Sequence, residues 1–234
     1  MRVDMTWREF WDRDRTTYVS ERHRRLESQL IGHAVETFIP NRTAVILDYG
    51  CGDNHVADEV ALSCRKLILC DSAPLLIERL KQRYSQNQKI SITTPSELHA
   101  LQSGSVELIF VNSVIQYLGS DELRELLGLW RRILKSDGLL VIGDVIPNNA
   151  NDVRDAITLL RFGWEGGFLF AAIVGLLRIW LSDYRKIRRV HGIFKYDEAS
   201  FIAIFRKAGF VMKRCIPNIG HNQSRMTFTG RPAE

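Results

Sequence analysis

An acid and two closely spaced glycines, Asp48-Tyr49-Gly50-Cys51-Gly52, follow the apolar run at residues 45–47. An apolar run of this kind predicts a strand that is buried on both faces of a parallel sheet. Glycines at the end of the strand let the chain turn sharply, because φ can be positive and no Cβ is in the way. Open α/β sheets bind ligands at the carboxyl ends of their strands, so the pattern predicts a nucleotide-type cofactor site.

A second acid, Asp71, ends the next apolar run at residues 67–70. A carboxylate at the tip of the neighbouring strand can accept hydrogen bonds from both hydroxyls of a ribose. Asp48 can pair with an ammonium group of the ligand or order the loop, and Asn112 can hold an amino-acid group or serve as a turn residue. The alternative for the two acids is that they only cap the helices that follow.

Strands and helices alternate through the middle of the chain. Strands are expected near 44–48, 67–71, 90–93, 106–112 and 138–144, with helices near 55–64, 74–86 and 121–135. A later helix is expected near 197–208, with strands near 210–216 and 225–229. Pro74 suits the first turn of its helix, and Ser120 is expected to be the N-cap of the next one. Such alternation predicts right-handed crossovers and a parallel sheet with helices on both faces.

Composition limits the classes of protein to consider. The chain has 234 residues, 45% of them hydrophobic, and a net charge of +5, which is too small an excess to indicate a nucleic-acid partner. Its four cysteines form no CxxC pair and no Cys/His ligand spacing, so buried thiols and no metal site are expected. The charged N-terminus does not resemble a signal peptide, and a cytoplasmic location is the expectation.

Two segments flank the alternating pattern. Residues 6–38 are expected to be helical, either as a solvated surface or as a lid in which Trp7, Trp11 or Tyr18 touches a ligand. Residues 147–192 interrupt the alternation with an expected helix, three glycines and the apolar run 168–177. That run is shorter than the roughly 20 residues that span a bilayer. Basic residues follow it at 185–189.

These ordered pieces resemble the class I S-adenosylmethionine-dependent methyltransferases over about residues 41–234. The acid-x-Gly-x-Gly loop at 48–52 carries the resemblance, together with the runs 67–72, 106–113, 134–142 and 194–210. It implies an α/β fold: a three-layer, doubly wound, Rossmann-like sheet of seven mostly parallel strands, with N-terminal helices and a helical insert after strand 5. We expect a helical cap at 1–40 and a methyltransferase domain at 41–234 that includes the acceptor-side insert 147–192.

The resemblance implies S-adenosylmethionine as cofactor. It assigns cofactor binding to Asp48, Tyr49, Gly50, Cys51, Gly52, Asp71, Ser72, Ser96, Glu97 and Asn112. One departure concerns the family's adenine-binding acid, whose position here holds Pro95. Proline offers neither a side-chain acceptor nor an N–H group, so adenine contacts pass to Ser96, Glu97 or backbone groups.

Methyl transfer needs little from side chains, because the methyl group is already activated and alignment supplies much of the acceleration. His191, His221 and Tyr18 are the candidates for a catalytic role, and each can equally be a packed or solvated residue. The sequence lacks the motifs for methylating base amines or cytosine carbon-5, so a small-molecule acceptor remains. Aromatic and aliphatic side chains at 164–180 indicate a partly apolar acceptor, unless they form a buried structural helix.

Two other functions stay open. A membrane-peripheral lipid methyltransferase could use 168–189 as its surface contact, since basic amphipathic segments bind anionic membranes. A non-catalytic S-adenosylmethionine-binding protein could share the fold, because fold does not determine function. A nicotinamide oxidoreductase is disfavoured, because His55 stands where a complete GxGxxG motif has its third glycine.

Overall fold

The computed structural model describes Trp7, residues 18–181 and residues 192–233. Its centre is a seven-stranded sheet in the order β3-β2-β1-β4-β5-β7-β6. The strands are β1 Val45–Tyr49, β2 Lys66–Cys70, β3 Ile90–Thr93, β4 Val106–Asn112, β5 Leu134–Val145, β6 Phe210–Cys215 and β7 Met226–Pro232. Strand β7 pairs antiparallel with both β5 and β6, the other pairs are parallel, and the fold class expected from the sequence is confirmed.

Seven helices of the described chain surround this sheet. They are α1 Glu21–Phe38, α2 Ala57–Leu62, α3 Pro74–Arg83, α4 Ser120–Ile133, α5 Asp152–Glu165, α6 Leu169–Leu181 and α7 Glu198–Lys207. Side chains of β1 alternate between two cores, with Val45, Leu47 and Tyr49 in one and Ile46 in the other. Because successive strand residues point to opposite faces, both faces of the sheet are covered.

The prediction of a helix over 6–38 is wrong at residues 18–20, where the backbone is not helical. The hydroxyl of Ser20 accepts a hydrogen bond from the backbone N–H of His23 and caps the start of α1. A serine in this position satisfies a donor that the first turn of a helix leaves unpaired. Trp11 lies outside the described residues.

Two further boundaries differ from the sequence expectation. Gly119, not Ser120, is the N-cap of α4, because its backbone is extended while Ser120 already belongs to the helix. Strand β5 begins at Leu134 instead of near 138, since Leu134 pairs with Val106 before a register shift. Pro74 does occupy the first turn of α3, as expected.

Helices α5 and α6 pack against α1 and the residues before it. Leu159, Phe168 and Ala172 form a small core with Val19 and Leu26. Arg22 of α1 also donates a hydrogen bond to the carbonyl oxygen of Gly166, between α5 and α6. Among the residues that the structure describes, no helix is long and apolar enough to cross a membrane.

Candidate active site

The turn after β1 depends on two glycines with positive φ, +70° at Gly50 and +56° at Gly52. The backbone N–H groups of Gly50 and Cys51 both donate to the carbonyl oxygen of Cys70, at 2.8 and 3.1 Å, which ties the loop to the end of β2. A Cβ on Gly50 would lie 2.3 Å from Val114, whereas a Cβ on Gly52 would meet nothing within 4 Å. Gly52 therefore borders open space and leaves its backbone accessible to a ligand.

Asp71 holds the same loop from the side. One carboxylate oxygen accepts the N–H of Gly52 at 3.1 Å, and the other accepts the N–H groups of Ser72 and Ala73 at 2.7 and 3.1 Å. The capping role considered from the sequence is thus present. Asp71 also lines the cavity into which the loop opens, where a carboxylate can accept a hydrogen bond from a ligand hydroxyl.

Asp48, at the end of β1, is bonded to the side-chain amide of Asn54 at 2.9 Å. Burial raises the pKa of Asp48 to about 7, and the nearby Asp71 adds to the increase while the Asn54 bond opposes it. Burial opposes the charged form of an acid unless a cation is near. A positively charged ligand group beside Asp48 would favour its ionisation.

The glycine loop opens into one large cavity of about 1890 Å³. Ten of the residues considered from the sequence line it: Tyr18, Asp48, Tyr49, Gly50, Cys51, Gly52, Asp71, Ser72, Asn112 and His221. Pro95 lines it as well, but Ser96 and Glu97 do not. His191 lies outside the described residues.

Three residues assigned to cofactor binding from the sequence, Glu97, Tyr49 and Asn112, differ in what their side chains contact. Glu97 turns back to accept hydrogen bonds from Thr94 and Thr93 at the end of β3. The Tyr49 ring packs edge-on against Trp130 in the core. The Asn112 carboxamide oxygen is buried without a hydrogen-bond partner and lies 2.3 Å from where a Cβ on Gly143 would stand.

A serine and an aspartate that the sequence analysis did not single out meet at the tips of β4 and β5. Ser113 and Asp144 both have positive φ, +58° and +57°, and the Ser113 hydroxyl donates to the Asp144 carboxylate at 2.7 Å. Positive φ is uncommon for residues other than glycine and concentrates at functional sites. Burial raises the pKa of Asp144 to about 6, although the Arg225 charge opposes the shift. The sequence signal that could have identified Asp144 is its position as an acid near the end of a buried strand.

Two residues of α1, His23 and Glu27, also meet His221 at the cavity, although His221 is 194 residues from Glu27 in the chain. Nδ1 of His221 is hydrogen-bonded to Glu27 at 2.7 Å. The rings of His221 and Phe162 stack at 4.6 Å, and those of His23 and Phe168 at 5.1 Å. His221 was a candidate from the sequence, but no local spacing links it to α1.

Two aromatic residues cover the cavity from the N-terminal side. The indole N–H of Trp7 donates to the carbonyl oxygen of Gly192, and its ring lies 4.7 Å from that of Tyr117. Burial, with the charge of Glu27 as the next cause, raises the pKa of Tyr18 to about 12. The Tyr18 hydroxyl therefore stays protonated near neutral pH and is suited to donate a hydrogen bond, not to act as a base.

Comparison with known proteins identifies a domain in the central part of the chain. Residues 47–142 match the model of the methyltransferase domain family, a segment that begins in β1, ends in β5 and contains the glycine loop, Asp71 and Asn112. The chain therefore contains a methyltransferase domain. Two of the solved structures described below contain bound S-adenosylhomocysteine. No curated protein sequence matches the methyltransferase significantly.

Solved structures share the fold of this methyltransferase at low sequence identity. Phosphoethanolamine N-methyltransferase 1 of Haemonchus contortus has a TM-score of 0.62 and 15% identity, over 97% of this chain and 47% of its own. The 1,6-didemethyltoxoflavin-N1-methyltransferase of Burkholderia thailandensis has a TM-score of 0.54 and 14% identity, over 97% of this chain and 82% of its own. The methyltransferase in complex with the Haloferax volcanii activator Trm112 has a TM-score of 0.60 and 11% identity, over 98% of this chain and 99% of its own.

Proposed function

We propose that this protein transfers a methyl group from S-adenosylmethionine to a small, partly apolar acceptor. The observation that carries the proposal is the continuity of the cavity, which joins the glycine loop to the inner faces of α5 and α6. Its volume of about 1890 Å³ exceeds the roughly 300–1,000 Å³ of ordinary ligand pockets. It therefore offers room for a cofactor and an acceptor side by side.

The residues at one end fit the cofactor. Gly52 borders open space, Asp71 presents a carboxylate to the cavity as an acceptor for ribose hydroxyls, and Asp48 is a partly buried acid that a cationic group would ionise. Leu76 and Pro95 supply apolar surface at the same end. When bound, the cofactor supplies a methyl group already activated by its sulfonium. The chain's part is to hold it in line with the acceptor.

The other end of the cavity is proposed to receive the acceptor. Its apolar wall comes from α5 and α6 and consists of Leu159, Leu160, Ile173, Leu176 and Leu177. Polar groups stand opposite this wall at Glu27, Asp144 and His221. An apolar wall with a few converging polar groups is typical of small-molecule sites. We propose that residues 147–192 and the N-terminal segment form the acceptor side.

Titration with S-adenosylhomocysteine tests the cofactor end. Asp71→Asn keeps an oxygen acceptor but removes the charge, and we expect affinity to fall about 10-fold or more, as for hydrogen bonds to charged groups. The matched control is Asp137→Asn, because Asp137 is an exposed acid near the start of β5 that does not line the cavity. Unchanged affinity in Asp71→Asn by calorimetry would contradict the assignment.

Turnover tests the acceptor end. The protein is incubated with methyl-labelled S-adenosylmethionine and a panel of small phenols, amines and fatty acids, and labelled products are separated by chromatography. We expect label in at least one partly apolar compound, and less of it in Leu159→Asp than in the parent protein. Tight binding of S-adenosylhomocysteine without transfer to any compound would favour a non-catalytic binding protein.

A lipid methyltransferase at a membrane surface is the second candidate, and one observation favours it. Exposed apolar side chains concentrate on α5 and α6, where Trp164 is 75% exposed and Phe170 is 81% exposed. Val153 and Ile157 extend the same surface along α5. Contiguous exposed apolar side chains mark interaction surfaces, including surfaces for membranes.

Vesicle sedimentation separates the two candidates. A membrane enzyme would bind anionic vesicles and release them at high salt, and Phe170→Asp would abolish the binding. Val211→Asp is the control, because Val211 is also well exposed but lies on β6 at the far edge of the sheet. The absence of vesicle binding by the parent protein would leave the small-molecule acceptor as the proposal.

A further inference from the structure

We propose that His23, Glu27 and His221 form a binding site for a divalent transition-metal ion of the zinc class. One ligand atom from each residue lies within 4.8 Å of the others, although His221 is 194 residues from Glu27 in the chain. Two imidazoles and one carboxylate form a donor set that zinc uses in catalytic sites. The inference does not depend on methyl transfer.

The buried His23 supplies the second, independent observation. Its side chain is 5% exposed, and its Nε2 atom is buried with no hydrogen-bond partner. A buried polar atom without a partner is unfavourable, so a native structure that retains one needs a reason. A metal ion between His23, Glu27 and His221 would provide the missing partner.

The residues around the cluster would hold an ion on one side and leave its other side facing the cavity. Phe162 stacks on His221 and Phe168 stacks on His23, so the two rings are held in fixed orientations. Gly220 leaves space for the carboxylate, since a Cβ there would lie 2.8 Å from Glu27. All three residues line the cavity, so a fourth coordination position would face the acceptor end.

Binding requires two small adjustments. Ligands of a tetrahedral zinc ion at about 2.0–2.2 Å stand roughly 3.3 Å apart, so the 2.7 Å contact between His221 and Glu27 must open slightly. Nδ1 of His23 accepts a long hydrogen bond of 3.3 Å from the N–H of Val19. Coordination through Nε2 moves the ring proton to Nδ1, so this weak bond is given up.

Hard ions are not expected to compete at this cluster. Magnesium and calcium prefer carboxylate, carbonyl and water oxygens, whereas imidazole suits zinc, cobalt, nickel, copper and iron. With three protein ligands and an open position, the ion could bind an oxygen or nitrogen of the acceptor as a Lewis acid. That role would restrict acceptors to molecules with such an atom near the methylated position.

The test is metal binding by the full chain, free of acceptor. Purified protein is stripped with a chelator and titrated with Co²⁺, whose visible spectrum reports coordination, and bound Zn²⁺ is measured by mass spectrometry after dialysis. We expect one ion per chain, displacement of Co²⁺ by Zn²⁺ and no displacement by Mg²⁺. Each of the variants His221→Gln and His23→Gln removes one ligand atom, and we expect the metal affinity to fall at least about 100-fold. Mutating a residue that only hydrogen-bonds to a ligand already lowers metal affinity by roughly 10- to 100-fold.

His33→Gln is the matched control, because His33 is an exposed histidine on the same helix as His23. Thermal unfolding and binding of S-adenosylhomocysteine check that each variant is folded. Failure of the parent protein to bind Co²⁺ or Zn²⁺ stoichiometrically would overturn the site, as would unchanged affinity in His221→Gln. In that event His221 and Glu27 would form a hydrogen-bonded pair without a metal ion. The titration with S-adenosylhomocysteine would remain a separate test of the proposed function.

Discussion

Two acids at the strand tips, Asp48 and Asp144, lie in surroundings that oppose their ionisation. Burial is the main cause in both cases and raises the pKa to about 7 for Asp48 and about 6 for Asp144. Protein interiors disfavour isolated charges, so a buried acid destabilises the ligand-free fold once it ionises. A cationic ligand reverses this effect for Asp48, which links cofactor binding to the pH of the solution.

The pH dependence of stability tests this account of Asp48. Its folded pKa of about 7 exceeds the ordinary 3.8, so between these pH values the folded state holds a proton that the unfolded state has released. Stability of the ligand-free protein therefore falls as pH rises through this range. Asp48→Asn removes the effect, and we expect it to raise the melting temperature clearly at pH 8 and little at pH 4. A difference that does not change with pH would show that Asp48 ionises normally.

Gly52 and Gly104 make a matched pair for testing the glycine loop. Both have positive φ, and a Cβ on either would meet nothing within 4 Å, but only Gly52 lines the cavity. Alanine at each position should lower the stability by a similar amount, about 1–2 kcal/mol, because the left-handed conformation is strained for any side chain. Only Gly52→Ala should weaken binding of S-adenosylhomocysteine. Equal affinity in the two variants, measured by calorimetry, would place the cofactor elsewhere.

Residue types predicted part of the candidate site and missed the rest for a physical reason. The glycine loop and Asp71 stand out because turn chemistry and strand ends are local features of a sequence. Glu27 does not stand out, since a glutamate on an amphipathic helix usually faces solvent. Asp144 carried the same signal as Asp71, an acid at the end of a buried strand, but was not singled out. The expectation of polar contacts from Ser96 and Glu97 was not met at the cavity, because Glu97 bonds to Thr93 and Thr94 instead.

At the scale of elements, α6 lies close against the chain that precedes α1. A Cβ on Gly175 would lie 2.1 Å from Cγ1 and 2.5 Å from Cβ of Val19. A β-branched side chain cannot rotate its own Cβ out of the way, so one element must move. The contact explains why a residue that weakens an isolated helix occurs within α6.

A pair of glycine substitutions tests this packing. Gly175→Ala should destabilise the protein by about 1–3 kcal/mol, as overpacking commonly does. Gly128→Ala is the control within α4, where a Cβ would meet nothing within 4 Å and the residue is exposed. That control should gain up to about 1 kcal/mol, because alanine favours helix more than glycine does. Equal effects in urea unfolding would contradict the close approach of α6 to Val19.

Element types followed from the sequence more readily than element ends. The alternation of apolar runs predicted each strand of the sheet, since buried parallel strands leave a strong pattern. The start of α1 was missed because apolar spacing continues across residues 18–20, while the Ser20 cap interrupts the helix. The side chain of a capping serine interrupts a helix at one position only. Apolar periodicity is counted over a long window, so it does not reveal such a local interruption.

At the scale of the whole molecule, α1, α5 and α6 are one cover over the cavity. They share the core built on Leu159, Phe168 and Ala172, and Arg22 bonds to Gly166 between α5 and α6. Sequence analysis treated the N-terminal segment and the insert 147–192 as separate pieces. Contacts between them cross more than 100 residues of chain, and a single sequence carries no signal of such pairing.

Hydrogen exchange tests whether the cover responds to ligand as a unit. We expect S-adenosylhomocysteine to slow exchange at the glycine loop and, together, at α1, α5 and α6, because a closed cover opens less often. Helix α7, at the far edge beside β6, serves as the unaffected reference.

Arg22→Ala should keep the protection of the glycine loop but uncouple α5 and α6 from α1, since the bond to Gly166 is lost. Arg25→Ala removes an exposed arginine from the same helix and should leave the coupling intact. If α1 is protected while α5 and α6 are not in the parent protein, the three helices do not act as one cover. The insert alone would then be the element to examine for acceptor binding.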